Sequence, residues 1–396
     1  MIFSVVGCNY GDEGKGLVTD YLCSRSPSAL VVRHNGGAQS GHTVEDFDKR
    51  FVFHELSSGS FRNADTYWAE TFLPDLYKLG DEYSDFFNLS GIKVKIFASP
   101  LACITTIDDI LINMLLEESR GDKRHGSCGM GINEADTRNK AGFSINLGTL
   151  KTMSTDSLFL ALKHIRTHYS ERHICELSLQ NKNSEYLTLL RDDDVLRNFS
   201  DVVFDNLKYI TVAADEKELF GKYSDIIFET GQGLQLDSLN EENIPHVTAS
   251  RTGLTNPAKI LNKLNLKLDG VFYVTRSYLT RHGAGPIENQ NDSLKDTYKF
   301  SDLTNIPNPW QGELRYAYFD TVEKFLKLPK KDVSTLNYGI QKNLVITHLN
   351  ETNDCMLFKD NKIPVSDFAN NPNIKTFFDK IYLSSTPFSN DFVPFE

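Results

Sequence analysis

Three features that define large protein classes are scarce in this sequence. Its six cysteines include no CxxC pair, and no apolar run in the 396 residues reaches the roughly 18 residues that a membrane span needs. Positive charge is also in the minority, because 42 Lys and Arg stand against 53 Asp and Glu. These absences argue against a disulfide scaffold, a structural zinc site, a membrane protein and a nucleic-acid partner. The short apolar start carries no preceding basic segment, so we expect no secretory signal and a cytoplasmic protein with reduced thiols.

What the sequence does contain is a series of short apolar segments bounded by glycine-rich or polar turns. Residues 2–6 predict a buried strand, residues 7–16 a loop and residues 17–24 a helix. A second strand at 30–33 leads into another glycine-rich loop at 35–43. Further buried strands are predicted at 93–97, 226–228, 270–274, 344–347 and 380–384. The pattern predicts an α/β fold, with a mostly parallel central sheet and helices on both faces, in the manner of phosphate-loop NTPases.

Two longer segments interrupt this pattern. Residues of about 153–206 predict a polar helical insertion whose irregular apolar face carries Leu158, Leu160, Leu162 and Ile165. Residues 288–311, rich in Asn, Asp and Pro, predict a long loop. We expect one large domain over residues 1–396 that includes both segments.

The sharpest motif is GCNYGDEGKG at residues 7–16. Glycines between a strand and a helix let backbone amides converge on a phosphate, and Lys15 can add a positive charge there. The motif is not a Walker A loop, because Gly16 stands where the magnesium-binding Ser or Thr of that loop would be. Another group must therefore hold a metal ion. The structural alternative is a tight turn with a capping acid.

Five motifs in order resemble the adenylosuccinate synthetase family. The first two are GDEGKG at 11–16 and NGGAQSGHT at 35–43, and the later ones are ETGQG at 229–233, PHVT at 245–248 and TRHGAGP at 280–286, where the family commonly has EGAQG, PYVT and TRVGAGP. The resemblance extends over roughly residues 1–390. It implies the adenylosuccinate synthetase fold, a homodimer, and the ATP- or GTP-driven replacement of the 6-oxygen of a purine nucleotide by L-aspartate.

The resemblance also implies roles for individual residues. Asp12 matches the catalytic aspartate that removes the N1 proton of a 6-oxopurine and contacts Mg²⁺, and the Gly41 carbonyl matches a second magnesium contact. His42 matches the histidine that donates a hydrogen bond as the 6-oxygen attacks the γ-phosphate. Gln232, a structural corner in the alternative interpretation, matches a contact to the purine near its 6-position. The predicted catalytic set is Asp12, Lys15, His42 and Gln232. The predicted nucleotide contacts are Gly11, Glu13, Gly14, Gly16, Gly41, Thr43, Ser127, Thr248, Gly283 and Asn350.

The same resemblance implies roles for two arginines. Arg315 lies in RYAYFD at 315–320, which aligns with the family's RTGWLD, and its guanidinium can pair with an amino-acid carboxylate; the alternative is a surface salt bridge. The family's GTTGRGIGP becomes GSCGMGIN at 126–133, which keeps Ser127 as a phosphate contact. It leaves Arg138 as the candidate for the arginine that crosses from a partner subunit.

The sequence departs from the family where the triphosphate base is recognised. The family's TKxD element is THLN at 347–350, and the amide of Asn350 can both donate and accept, which suits adenine better than guanine. We therefore predict ATP or dATP as phosphoryl donor rather than GTP.

A related asparagine, and a similar ending at 382–391, occur in phage enzymes that make 2-aminoadenylosuccinate from dGMP, whereas those enzymes tend to carry a small residue in place of Asp12. The acceptor is then IMP or dIMP, or dGMP, and the cell is a bacterium or a phage-infected host.

The amine site departs as well. The family's arginine-rich run becomes WQGELR at 310–315, with Glu313 near a position where the family has a second arginine. L-aspartate is the predicted amine, and a catalytically reduced nucleotide sensor is the alternative that this change motivates. A kinase or phosphatase using the same loops is a third possibility, against which the set of Asp12, Lys15, His42 and Gln232 argues.

Overall fold

The predicted strands are present, and the predicted parallel sheet organises the protein. The computed structural model describes residues 1–300, 302–305, 311–359 and 361–396. The strands in these ranges are β1 (Ile2–Gly7), β2 (Ala29–Arg33), β3 (His42–Asp46), β4 (Lys49–Phe53), β5 (Asp65–Trp68), β6 (Ile96–Ala98), β7 (Ile210–Val212), β8 (Asp225–Gly233), β9 (Gly270–Arg276), β10 (Leu279–Arg281), β11 (Arg315–Ala317), β12 (Gln341–Thr347), β13 (Cys355–Leu357), β14 (Lys362–Pro364), β15 (Lys380–Leu383) and β16 (Val393–Phe395).

Ten strands of the described chain form one sheet, in the order β16-β15-β12-β9-β1-β8-β2-β5-β6-β7. Every neighbouring pair is parallel except β15 and β16 at one edge. The other strands pair as the antiparallel hairpins β3–β4 and β13–β14 and the antiparallel ribbon β10–β11. The prediction of a mostly parallel α/β sheet is confirmed.

Helices cover the sheet and fill the connections between strands. The α-helices of the described chain are α1 (Lys15–Ser24), α2 (Leu76–Ser90), α3 (Ile107–Arg120), α4 (Ile132–Lys140), α5 (Leu147–Leu150), α6 (Thr155–Ile165), α7 (Glu171–Glu176), α8 (Glu185–Leu189), α9 (Asp193–Asn206), α10 (Glu216–Phe220), α11 (Thr255–Leu264), α12 (Leu294–Tyr298), α13 (Val322–Val333), α14 (Val365–Ala369) and α15 (Pro372–Phe377). None of these is long and apolar enough to cross a membrane.

The central strand β1 shows why both faces of the sheet are covered. Val6 packs into a cluster that includes Ile260 of α11 and Leu326 of α13, whereas Val5 packs into a second cluster with Leu17 and Val18 of α1. Successive side chains of a strand point to opposite faces, so the continuous apolar sequence of β1 reflects burial on both sides.

The segment at 153–206 contains α6 to α9, with a π-helical stretch at Arg166–Ser170. Leu158, Leu162 and Ile165 are buried, but Leu160 is 63% exposed, so its predicted place on the apolar face is wrong. The spacing explains the difference, because positions i, i+4 and i+7 share a helix face and position i+2 lies away from it. The division of the chain into one domain with an insertion stays a prediction.

The predicted loop at 288–311 is not entirely irregular. It contains the short helix α12, and residues 301 and 306–310 lie outside the described part of the chain, as does Trp310 of the predicted amine-binding run.

The parallel strands place the loops that follow β1, β2, β8, β9 and β12 at one edge of the sheet. Ligands of open α/β sheets bind at that edge, outside the carboxyl ends of the strands.

Candidate active site

The loop between β1 and α1 has the geometry of a phosphate-binding turn. Gly11 and Gly14 adopt φ angles of 101° and 89°, which favour glycine. The Glu13 carboxylate points into the loop and accepts hydrogen bonds from the amides of Asn9 (3.0 Å) and Gly11 (2.9 Å). It also forms a buried ion pair of 2.6 Å with Lys15. The side chain of Glu13 therefore braces the loop, and a nucleotide would meet this residue through its backbone.

Two cavities meet at this loop. The larger encloses about 820 Å³ and the smaller about 330 Å³. Both are bordered by one set of residues, here called the shared wall: Asp12, Lys15, Gly41, His42, Arg50, Leu303, Thr304 and Asn305. Two ligands bound side by side would thus be separated by the residues predicted to be catalytic.

His42 is part of the shared wall and contacts a buried carboxylate. Its Nδ1 lies 2.9 Å from Oε1 of Glu229, whose Oε2 lies 3.5 Å from Nη1 of Arg33. Burial lowers the pKa of His42, although Glu229 opposes this effect. Neither ring nitrogen of His42 makes a hydrogen bond of good geometry in the described residues, so the contact of Nδ1 with Glu229 is electrostatic. The histidine is thus oriented through Nδ1 and keeps Nε2 for a ligand.

Asp12 lies where three loops meet. The residue has a φ of 61°, its carboxylate is 3.5 Å from Nε2 of His282, and its carbonyl accepts a hydrogen bond from Arg276. Arg276 also pairs with Asp302 at 3.0 Å. Burial raises the pKa of Asp302, but the charge of Arg276 and hydrogen bonds from Asn305 outweigh burial and lower this pKa well below its usual range. The loop after β1 is thus tied to residues 302–305.

The structure brings most predicted site residues to the two cavities. Gly11, Ser127, Gln232 and Thr248 line the larger cavity alone. Glu13, Gly14, Gly16, Thr43 and Asn350 line the smaller cavity alone. Asp12, Lys15, Gly41 and His42 line both, and Gln232 is fixed by a 2.8 Å hydrogen bond from its Nε2 to Ser40. Ser127 is already engaged, because its hydroxyl donates to Asn113 (2.8 Å) and its amide to Glu117 (3.3 Å).

Gly283 and Arg315 line neither cavity. Nη2 of Arg315 donates to the carbonyls of Gly283 (2.6 Å) and Gly285 (2.5 Å), and Nη1 donates to Gln290 (3.0 Å). Arg315 therefore holds the 280–286 turn in shape, and its predicted pairing with an amino-acid carboxylate has no support in this geometry. The predicted salt bridge at the surface is not what the structure shows either.

The prediction for Arg138 is wrong. Its side chain is fully buried, it forms an ion pair of 2.9 Å with Asp109, and it donates to the carbonyls of Ile104 and Phe143. A guanidinium enclosed in this way braces α3 against α4 and cannot reach into another subunit. The homodimer stays a prediction.

The donor set at the shared wall fits a magnesium ion. The Asp12 side chain is 26% exposed, and Asp12 and Gly41 border both cavities, so a carboxylate and a backbone segment adjoin the space that phosphates would occupy. Mg²⁺ prefers oxygen ligands and often takes only one or two from the protein, with the rest from water and substrate phosphates. The described residues contain no cluster of three or more His, Cys, Asp or Glu able to hold a metal.

Sequence reasoning missed Glu229, His282 and Arg50. Glu229 opens the ETGQG motif, and a carboxylate at the end of an otherwise apolar strand was the available signal. His282 occupies the position where the family motif has valine, and this difference from the motif was the available signal for a functional residue. Arg50 carried no sequence signal, because its place in the shared wall depends on how the β3–β4 hairpin packs on residues 303–305.

The fold and the site define a nucleotide-dependent enzyme of the phosphate-loop type: a glycine-rich loop follows the central parallel strand, and two adjacent cavities share one wall. The family model described as adenylosuccinate synthetase matches residues 4–303. The chain belongs to the adenylosuccinate synthetase family, whose members are ligases that form a C–N bond. The family binds a nucleoside monophosphate, a nucleoside triphosphate and aspartate, and depends on magnesium.

Curated relatives carry the same name. The adenylosuccinate synthetase of Lactobacillus gasseri is 28% identical over 334 residues, which cover 81% of this chain and 72% of the relative. That of Picrophilus torridus is 30% identical over 301 residues, covering 74% of this chain and 67% of the relative.

Two solved structures share the fold. Fully ligated adenylosuccinate synthetase from Plasmodium falciparum superposes with a TM-score of 0.72 at 18% identity, covering 100% of this chain and 99% of the other. The succinoaminodeoxyadenylate synthetase PurZ of cyanophage S-2L, bound to dGMP and dATP, superposes with a TM-score of 0.63 at 14% identity, covering 99% and 95%. At these identities the likeness shows the fold alone.

Proposed function

We propose that this protein uses ATP or dATP to phosphorylate the 6-oxygen of a purine nucleoside monophosphate and then replaces that phosphate with L-aspartate. The product is an N6-succinyl purine nucleotide, formed with ADP or dADP and inorganic phosphate. The acceptor is IMP or dIMP, or dGMP. The monophosphate occupies the larger cavity and the triphosphate the smaller one.

The shared wall is the observation that supports this proposal. Direct phosphoryl transfer needs the acceptor oxygen and the γ-phosphate to meet in line, with catalytic groups around the point of contact. Asp12, Lys15, Gly41 and His42 border both cavities and therefore surround such a point. A phosphatase would need one cavity, whereas two adjoining cavities suit transfer between two bound nucleotides.

The chain's residues divide the chemistry between them. Asp12 accepts the N1 proton, which makes the 6-oxygen nucleophilic, while the Gln232 amide orients the purine. His42 stands beside the transferring group, and a phosphate oxygen near Nε2 would favour the protonated ring that burial disfavours in the free enzyme. The imidazolium then donates through Nε2 to that oxygen, held in place by Glu229 at Nδ1. Magnesium, held by the Asp12 carboxylate and the Gly41 carbonyl, would neutralise charge on the phosphates.

The smaller cavity supports an adenine donor. Asn350 lines it together with His348, Thr386 and Pro387. An amide both donates and accepts, as the N6 and N1 edge of adenine requires, whereas guanine presents two donors that suit a carboxylate. The cyanophage enzyme of the same fold, which is bound to dGMP and dATP, is consistent with an adenine donor and leaves dGMP among the acceptors.

Product analysis tests the proposal and selects the acceptor. Purified protein is incubated with Mg²⁺, L-aspartate and ATP, with IMP, dIMP, GMP or dGMP in turn, and the series is repeated with dATP and GTP. Mass spectrometry should detect one succinyl nucleotide together with the diphosphate of the donor. Binding of ATP without any product would overturn the synthetase and favour a nucleotide sensor, and phosphate release that needs no amine would favour a phosphatase.

Asp12→Ala provides the matched control for this assay. We expect no turnover, because no other carboxylate borders both cavities in the described residues. The thermal unfolding temperature should fall only slightly, because the side chain is partly exposed but alanine is less favourable than aspartate at a φ of 61°. Normal activity of the folded variant would contradict the assigned base.

A further inference from the structure

We infer that Arg50, on the β3–β4 hairpin, binds a carboxylate of the incoming amine; this inference rests on the proposed function. The amine must attack the purine C6 at the point where the two cavities meet, so the acid groups of an amino acid lie a few ångströms from the shared wall. Arg50 is part of that wall. Its guanidinium presents a planar set of donors that matches a carboxylate.

The other lysine and arginine side chains that line the two cavities have protein partners, among them Arg276, which pairs with Asp302 at 3.0 Å. Lys15 is held by Glu13 at 2.6 Å, and Arg120 is paired with Glu117. Arg281 donates to Asn243 (2.7 Å) and to the carbonyls of Pro286 and His246. Arg315 holds the 280–286 turn. Lys15 and Arg50 are the lysine and arginine of the shared wall. The acid next to Arg50, Glu45, is partly exposed, whereas the acid that holds Lys15 is buried.

The contacts of Arg50 leave it able to take a ligand. Nη2 donates to Oγ1 of Thr304, which lies 2.9 Å from Oγ1 of Thr43. Nε lies 3.4 Å from Oε1 of Glu45 without a hydrogen bond, and both side chains are about a third exposed, at 32% and 29%. An exposed pair of this kind contributes little, so a substrate carboxylate can displace it. The threonine pair keeps the hairpin and the 302–305 segment together around the guanidinium.

The test compares Arg50→Met with Lys49→Met. Both variants remove one positive charge from the same strand, but Lys49 borders neither cavity. Steady-state kinetics should show that Arg50→Met raises KM for L-aspartate roughly ten- to a hundredfold, the loss expected for one charge-assisted hydrogen-bonded pair. KM for both nucleotides should stay unchanged, Lys49→Met should match the wild type, and Arg50→Lys should recover part of the loss.

Two further measurements separate carboxylate binding from other effects. Positional isotope exchange in the triphosphate, with monophosphate present and amine absent, reports phosphoryl transfer alone and should be unchanged in Arg50→Met. Hydroxylamine, a nucleophile without a carboxylate, should react equally with both enzymes. A variant that loses these reactions, or that raises KM for the triphosphate instead, would overturn the inference.

The failure of the inference is distinguishable from failure of the proposed function. A wild type that shows neither isotope exchange nor a succinyl product would remove the proposed function and this role of Arg50 with it. An active wild type, with an Arg50→Met variant that uses L-aspartate as well as Lys49→Met does, would remove only the role of Arg50.

Discussion

Glu229→Gln tests the idea that a buried negative charge organises the shared wall. The carboxylate is fully buried and lies 2.9 Å from Nδ1 of His42 and 3.5 Å from Nη1 of Arg33. Burial raises the pKa of Glu229, but His42 and Arg33 outweigh burial and lower it from 4.5 to about 2. That lowering corresponds to about 3 kcal/mol of stability at neutral pH. Removing one partner of a buried ion pair costs about 3–5 kcal/mol, which agrees.

The sign of the pH dependence follows from the same shift. Because the folded-state pKa of Glu229 is lowered, its contribution is fully present above the unfolded value of 4.5 and is lost as the pH falls through about 2. Urea unfolding should therefore place the variant about 3 kcal/mol below the wild type at pH 7, with a gap that narrows below pH 4.5.

The control is Glu218→Gln, which breaks an exposed pair with Lys222 and should change stability by less than about 0.5 kcal/mol. A Glu229→Gln variant as stable as the wild type at pH 7, or a gap that does not depend on pH, would refute the assigned charge.

Two other predictions follow from single side chains. Asn350→Asp should move donor preference from ATP toward GTP by roughly ten- to a hundredfold in the ratio of kcat/KM, because a carboxylate accepts two hydrogen bonds from guanine; an unchanged ratio would place the base elsewhere. Burial raises the pKa of Asp332 from 3.8 to about 6. Because ionisation in the folded state is then disfavoured, Asp332→Asn should gain about 2–3 kcal/mol over the wild type above pH 6, measured by urea unfolding, and the gain should vanish below pH 3.8. A pH-independent difference would contradict this.

The centre of the sheet could be predicted because each strand there is covered on both faces. β1, β2, β8, β9 and β12 each contain a run of buried apolar residues, and every residue of β9 is buried. The edges carry a weaker signal. β7 has three residues, of which Thr211 is exposed, and β16 pairs antiparallel as three residues at the end of the chain, so neither was predicted.

The site divides in a similar way. Residues carried by contiguous motifs, such as Asp12, His42 and Gln232, were predicted together and line the cavities, although their roles stay predictions. Contacts between distant segments could not be predicted. Arg315 is paired with the 283–285 carbonyls and Arg138 with Asp109, and a sequence pattern does not show which partner a guanidinium will find.

The electrostatics of the site explain how a chain with a net charge of -11 can accommodate negatively charged nucleotides. Its donor groups face three buried carboxylates: Glu13 holds the Gly11 amide and Lys15, Glu229 holds His42 and Arg33, and Glu117 holds the Gly126 and Ser127 amides. Each carboxylate fixes donors before a substrate arrives, which lowers the ordering cost of binding. The same carboxylates weaken the positive electrostatic field that the site projects into solvent. Affinity for nucleotides must therefore come from short contacts inside the cavities. Nucleotide affinity should therefore depend weakly on salt, and a steep salt dependence would show that surface charge, not the preorganised wall, attracts the substrates.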